Sequence, residues 1–389
     1  MVYKKPKAPA RFKICGYPTD NLRGMPKILH TSDLRLGAKY LGLGKAGDKV
    51  RAQLKRAWTA IIETAIAEKV DAVIVAGGLF DSSEISRPAV EFVLKEIARL
   101  GKTPVILTPG MRDHLGKGSL YYHFDLIDRP ENLYPVTAEN ETLELKELDL
   151  TVIANPAAGP KSKESLLEGI KAAKTGATVV IASGIWEGIN YPITDSAIGK
   201  TGAAYVALGG LPAFKSGMAQ KTPYAFSGPP EAQDFNTTDS AGVVLVDLEK
   251  NPVELTFLPL GVLVWKEVTL SDPEKLPALL EKEKGENRLL RVKLAGEKSS
   301  DWFEVEEVIE GYKDQFLFLT ATDERKPAQN TKKYPRQTVT GQFLYLAEEK
   351  MKKAGAEEKA LCQEALALAL SLAAGPVADL SRAESREKK

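Results

Sequence analysis

The chain is short of the side chains that cross-link proteins or hold transition metals. It has two cysteines in 389 residues, Cys15 and Cys362, near opposite ends. That argues against a disulfide framework and against a cysteine-metal site, and it suits a reducing cytosol. Histidine is almost as scarce, with only His30, His114 and His123. No run approaches the roughly 18 apolar residues of a membrane span. Net charge is also nearly absent, at +1, so the chain as a whole makes no demand for nucleic acid or a membrane surface, although local charge can still act. Residues 1–24 are the exception. They are Lys/Arg-rich with one acid, Asp20, and contain Pro6, Pro9 and Pro18. They have no apolar stretch of the signal-peptide kind and read as a basic, poorly ordered arm, or more plainly as a tail with no specific role.

What is present is the composition of a globular protein, 43% hydrophobic and 27% charged, in a chain long enough for two or three units. From 27 to 228, short apolar runs alternate with amphipathic helical patterns. Helices are expected at 51–69, 87–100 and around 162–173, and strands at 28–31, 71–81 and 103–110. Further strands are expected at 148–156, 177–184, 203–210 and 223–228, and a hairpin from 242 with its turn at 249–252. The pattern predicts two mixed sheets packed face to face with helices outside. After 261 it changes to a compact β-α-β-α-β set over 262–324, with a polar linker at 325–338. A pair of helices follows at 339–375, then a charged tail at 376–389. In the last helix Leu361, Ala365, Leu368 and Leu372 form a 4-3-4 apolar stripe, either a seam for a partner helix or a face packed on the chain's own surface.

Five strand ends share one character, an apolar strand running into a Gly-containing loop with polar residues: 31–37, 76–81, 109–114, 182–186 and 208–214. In α/β folds such ends collect ligands and catalytic groups. In the first, KILHTSDLRLG (27–37), Asp33 is followed two residues later by Arg35. Asp-x-His there would be a credible metal-ligand pair, but Arg keeps its proton and cannot ligate a metal.

In order and character these stretches resemble the calcineurin-like metallophosphoesterases, and within them the SbcD/YhaO-type DNA-repair exonucleases, over nearly the whole chain from Met25 to about Ala374. The segments that carry the resemblance are KILHTSDLRLG, VDAVIVAGGLFDSS, TPGMRDHL, VVIASGIWEG, YVALGGLPAFK and YAFSGPPEAQDF. It implies a four-layer sandwich with a small capping domain (262–324) and C-terminal helices that meet an SbcC-like ATPase. It also implies two Mn²⁺ or Mg²⁺ ions held at the strand ends. Matched position by position, however, only Asp33 keeps a ligand's chemistry. Arg35 stands for a His, Gly78 for the bridging Asp, Met111 and Arg112 for an Asn and a His, Ser183 for a His, and Gly210 and Pro212 for the last two His residues. Gly, Met and Pro offer no hard donor, and Arg brings a competing charge. The expectation is therefore no metal cofactor and no catalytic residue. His30 should be structural, and His114 is the only substitute ligand in view.

Two readings of Arg35 and Arg112 stay open. They either pair with the leftover carboxylates Asp81 and Asp113 (and Asp33), or form a phosphate-binding pocket. The expected function is that of a catalytically inactive SbcD-type homologue, a scaffold or DNA-binding subunit beside an SbcC-like ATPase or an active nuclease, in the cytoplasm. DNA and a second copy of the chain are further candidate partners. The rival expectations are a residual metal-dependent nuclease or phosphoesterase, and a purely structural partner protein.

Overall fold

In the computed structural model the apolar runs become strands of two mixed sheets. The residues described are 10–13, 26–173, 176–236, 241–298, 305–327, 336–353, 355, 358–359, 361–362 and 365–366. In chain order the first strands are β1 (Ala10–Lys13), β2 (Lys27–Thr31), β3 (Ala72–Ala76), β4 (Val105–Thr108), β5 (Leu133–Pro135), β6 (Glu141–Leu145), β7 (Leu150–Asn155) and β8 (Ala177–Ser183). They continue as β9 (Ile185–Trp186), β10 (Pro192–Ile193), β11 (Tyr205–Gly209), β12 (Lys215–Ala219), β13 (Thr222–Phe226), β14 (Gly242–Asp247) and β15 (Glu254–Pro259). The first large sheet has the order β1-β15-β14-β2-β3-β4-β5 and the second β12-β13-β11-β8-β7-β6. Strands β2 to β5 run parallel, as do β7, β8, β11 and β13. The carboxyl ends that carry the conspicuous loops are thus aligned within each sheet.

The two-residue alternation of a strand decides which layer each side chain enters. In β2 to β4, Ile28, Ile74 and Ile106 pack between the sheets against Val152, Val179, Ile181 and Ala207. Their neighbours Leu29, Val73, Val75, Val105 and Leu107 face the other way, onto α1 (Lys45–Ala67) and α2 (Arg87–Ala98) through Leu54, Trp58, Ile61 and Val93. Behind the second sheet, Val180, Leu208 and Phe226 are covered by Ile198 of α3 (Asp195–Thr201) and by Leu167, Ile170 and Tyr191. The result is the layered sandwich expected from the pattern.

Some elements differ from expectation. Residues 162–173 form turns, not a helix: Gly169 takes a left-handed φ of 72°, while Leu166, Leu167 and Ile170 reach the core without a helical repeat. The first helix begins at Lys45, six residues before the expected start. Within the basic arm, Ala10–Lys13 adds an antiparallel edge strand to β15, from Ala10 opposite Phe257 to Lys13 opposite Glu254. The rest of 1–24 lies outside the described residues, as do 328–335 of the expected linker and all of 376–389.

The chain divides into two compact units, Met1–Trp265 with Asn287–Leu289, and Lys266–Glu286 with Leu290–Lys389. The second unit carries a three-stranded sheet built from β16 (Val264–Leu270), β17 (Gly285–Leu294) and, after the short β18 (Glu297–Lys298), β19 (Phe316–Asp323), in the order β16-β17-β19. Helices α4 (Leu276–Glu283) and α5 (Val305–Tyr312) pack on it through Leu276, Leu280, Leu290, Val292 and Phe316. Within the expected linker, Lys326 and Pro327 form a last short strand beside β18. The expected terminal pair of helices belongs to this same unit, where Leu366 buries itself against Leu344 of α6 (Val339–Lys353). Leu361 and Ala365 of the apolar stripe are exposed, Leu361 by 67%, and Leu368 and Leu372 lie outside the described residues.

Trp58 has no solvent exposure and is among the largest fully buried side chains. Trp58→Ala is expected to lower unfolding free energy by about 3–5 kcal/mol, the cost of a large core truncation, read as a lower urea midpoint. A change under about 1 kcal/mol would show that the α1 face is not a packed layer.

Candidate functional site

The loops after β2, β3, β4, β8 and β11 converge, and they do so backbone against backbone. A Cβ at Gly209 would overlap the Ala76 carbonyl oxygen of the other sheet, and one at Gly77 would lie 2.7 Å from the Gly110 Cα and 3.1 Å from the Ser183 Cβ. At Gly210 a Cβ would sit 2.5 Å from the Gly184 carbonyl oxygen and 3.0 Å from Met111 Cε. Glycine is the residue that permits approaches this close. Asp33, Arg35, Gly78, Met111, Ser183 and Gly210 are therefore gathered at one place. Pro212 is exposed two residues beyond Gly210.

The first two loops are zipped together. Asp33 N–H donates to Gly77 O at 2.9 Å, Arg35 N–H to Gly78 O at 2.8 Å and Leu36 N–H to Leu79 O at 2.8 Å. These bonds hold Asp33 and Arg35 at a left-handed φ of 57° each, a conformation that costs a bulky residue on the order of 1–3 kcal/mol and persists only where surroundings enforce it.

Each nearby carboxylate is already engaged by the protein. Asp33 Oδ2 accepts from the Gly210 N–H at 2.8 Å and the Ser32 hydroxyl at 2.6 Å. Asp81 Oδ1 accepts from Arg35 Nε at 2.8 Å and lies 3.6 Å from Arg112 Nη1. Asp113 has no solvent exposure and accepts four bonds: Gly78 and Gly110 N–H on Oδ1 at 3.0 and 2.8 Å, Phe80 N–H and the Tyr121 hydroxyl on Oδ2 at 3.1 and 2.8 Å. Burial raises the pKa of Asp113 while those four donors oppose the rise, and burial holds the Tyr121 hydroxyl protonated as a donor. So the arginines pair with Asp81, whereas Asp113 binds backbone and Tyr121. The partners of Asp33 are Ser32 and Gly210 rather than either guanidinium, because Gly210 brings its N–H within bonding distance where a longer side chain would not fit.

Those contacts decide whether a divalent pair fits. The position that the resemblance matches to the bridging ligand is Gly78, at φ 68°, and a Cβ there would meet Asp33 Oδ1 at 2.8 Å and Asp33 Cα at 2.9 Å. A carboxylate cannot be placed at 78 without moving Asp33. Among the described residues no three of His, Cys, Asp and Glu are grouped to hold an ion. The donor set does not suit a two-metal centre. His30 lies fully buried in β2 with Nδ1 2.8 Å from the Tyr205 hydroxyl, and burial lowers its pKa to about 3, so it stays neutral. His114 accepts the Gly116 N–H on Nδ1 at 3.0 Å, a local turn contact.

The pattern missed several contributors. Tyr121 sits in a short irregular helix with no periodic signal, and Ser32, Ser227 and Gln233 act through contacts remote in sequence. Ser32 and Ser227 hydroxyls lie 2.8 Å apart, and Gln233 Nε2 donates to the Asp33 and Leu34 carbonyls at 2.6 and 3.1 Å. The paired glycines of GGLF and LGGL were the visible signal.

Two outcomes follow for the variants. Asp113→Ala strands three backbone N–H groups and one hydroxyl, and should cost about 3–5 kcal/mol of stability in urea unfolding. Asp33 is pushed by burial from 3.8 up to about 6, opposed by its bonds to Gly210 and Ser32. The folded chain then holds a proton, across roughly pH 4 to 6, that the unfolded chain has released, so this group stabilises at low pH and its contribution is lost as pH rises through about 6. From about pH 4.5 to 7 the urea midpoint should fall more in wild type than in Asp33→Asn; a steeper fall in the variant would contradict the assignment.

No protein-family model matches the chain. It is 25% identical over 239 residues to the DNA double-strand break repair protein Mre11 of Aeropyrum pernix, covering 56% of this chain and 57% of that relative. It is 23% identical over 317 residues to the uncharacterized metallophosphoesterase YhaO of Bacillus subtilis (strain 168), covering 75% and 76%. The match thus spans little more than half of the Mre11 relative. The solved structure of TT1561 of Thermus thermophilus aligns over 59% of this chain and 98% of its own at 13% identity with a TM-score of 0.38, too distant to bear on function. The two sequence matches and the paired mixed sheets support a likeness to the metallophosphoesterase superfamily, with Mre11 and YhaO as homologues.

Proposed function

We propose that this chain is a non-hydrolytic member of that superfamily, acting in DNA repair as a scaffold or DNA-binding subunit beside an SbcC-like ATPase or an active nuclease in the cytoplasm. The observation that carries this reading is the closed bridging position: Gly78 stands against Asp33 where a two-metal hydrolase needs a carboxylate, and Asp33, Asp81 and Asp113 are each spent on protein donors. Activating a water and stabilising a departing oxygen by the family's route takes two ions about 3.5–4 Å apart. The homology to a break-repair protein supports the setting, and the exposed Leu361 and Ala365 suit a partner helix. No helix among the described residues is long and apolar enough to cross a membrane.

The test is hydrolysis by the full chain with manganese supplied, on single-stranded DNA and on bis-(p-nitrophenyl) phosphate. The expected rate is that of buffer. Activity that survives purification and disappears in Asp33→Ala would overturn the reading. Restoring the missing ligand should not rescue chemistry: Gly78→Asp is expected to lower stability, because φ 68° and the Asp33 contact both oppose a side chain there, and to gain no activity. A Gly78→Asp protein that folds as well as wild type and cleaves with manganese would show that the site was only one residue from function.

A further inference from the structure

The Arg35–Asp81–Arg112 cluster has a surplus of donors. Both guanidiniums converge on one oxygen, Asp81 Oδ1, at 2.8 and 3.6 Å. Arg35 donates through Nε alone, and its Nη groups have no acceptor among the described residues. The Arg112 guanidinium makes only the loose 3.6 Å ion pair, with its side chain 52% exposed. Tyr40 lies within electrostatic reach of Arg35, Asp81 and Arg112, and its buried hydroxyl has no hydrogen-bond partner. Burial lifts that phenol to about 12, so the proton stays on and the group remains a donor. Tyr40, Arg35 and Asp33 all hold left-handed φ values, of 51°, 57° and 57°, within eight residues. The partly exposed Arg35 and the half-exposed Arg112 are thus the donors open to an outside acceptor.

The nearby carboxylates do not supply it. Asp33 is bound to Gly210 and Ser32, and Asp234 accepts the Asn236 N–H. Their charges, with that of Asp81, outnumber those of the two arginines, so net charge does not draw an anion to the cluster. What the cluster offers is geometry. Two guanidinium forks meeting at one carboxylate oxygen offer further N–H donors in the planar arrangement that a phosphate group accepts.

We propose that Arg35 and Arg112 form a metal-independent binding site for a phosphate group of nucleic acid, the guanidiniums standing where the superfamily's ions would act. The site rests on the non-hydrolytic reading above and deepens it by naming the ligand. Asp81 holds Arg35 in place, and the half-exposed Arg112 swings off Asp81 to complete the contact.

The experiment is fluorescence anisotropy of the full chain in EDTA with a labelled single-stranded oligonucleotide. One arm carries a 5′-phosphate, a second a 5′-hydroxyl, and a third adds inorganic phosphate as competitor with acetate as control. Wild type is expected to bind in EDTA. Arg112→Ala should weaken binding about tenfold, as loss of a charge-assisted contact does, and Arg112→Lys less, since it keeps a charge but loses the fork. Arg35→Ala/Arg112→Ala should lose more than Arg112→Ala alone. Preference for the 5′-phosphate arm assigns the ligand to a strand end; equal binding of both arms assigns it to the internal phosphodiester; competition by phosphate but not acetate supports the site in either case. Wild type that binds only with manganese, or Arg112→Ala that binds within about twofold of wild type, overturns the proposal. Because Arg112 is half exposed and makes no hydrogen bond, its alanine variant tests the site even where the double variant misfolds. Cleavage of the probe in a parallel manganese run would instead count against the non-hydrolytic reading, so the two failures are distinguishable.

Discussion

The structure turns on how closely two sheets meet at their carboxyl ends. At Gly209 and Ala76 the backbones touch with no room for a Cβ, and Gly77, Gly110 and Gly184 carry the same contact around the ring of loops. Once Gly78 sits against Asp33, and Gly210 gives its N–H to the same carboxylate, the strand ends become a packed junction. The left-handed turn at Asp33 and Arg35 follows from that closure, because both residues are clamped to the loop after β3.

The carboxylates at the junction have changed their work. A carboxylate near orphan backbone amides is a good acceptor, and Asp113 takes three of them with the Tyr121 hydroxyl, tying the loops after β3 and β4 together. Asp33 joins the loops after β2 and β11 in the same way. Asp81 answers Arg35 and Arg112. One oxygen of Asp33, one of Asp81 and both of Asp113 face donors of the protein itself. On the rim, the Nη groups of Arg35 and the guanidinium of Arg112 keep donors that no hydrogen bond among the described residues takes up.

Much of the fold was legible because it rests on local periodicity. Ile28, Ile74 and Ile106 alternate with Leu29, Val73 and Val105, and that two-residue repeat places each residue in its layer. The positions of the strand-end loops could be read from GGLF and LGGL. The contacts inside the loops could not. That Asp33 would turn to Gly210, 177 residues away, depends on how two sheets dock, and that Tyr121 would cap Asp113 depends on the path of the irregular loop after β4; no spacing in the sequence encodes either. The helix expected at 162–173 failed for the opposite reason: its apolar residues found the core through a turn at Gly169, so burial was satisfied without a repeat. The strand at Ala10–Lys13 was hidden in a basic, proline-rich stretch whose composition points to disorder, yet its backbone pairs with the open edge of β15.

The central claim is that these carboxylates bind the protein and not a metal pair. Thermal unfolding of the full chain with and without manganese tests it most directly, because any ion held by the folded state alone raises the melting temperature once its concentration exceeds the dissociation constant. The account predicts the same melting temperature with millimolar manganese as with EDTA, in wild type and in Asp33→Ala alike. A rise with manganese in wild type that is lost in Asp33→Ala would contradict it.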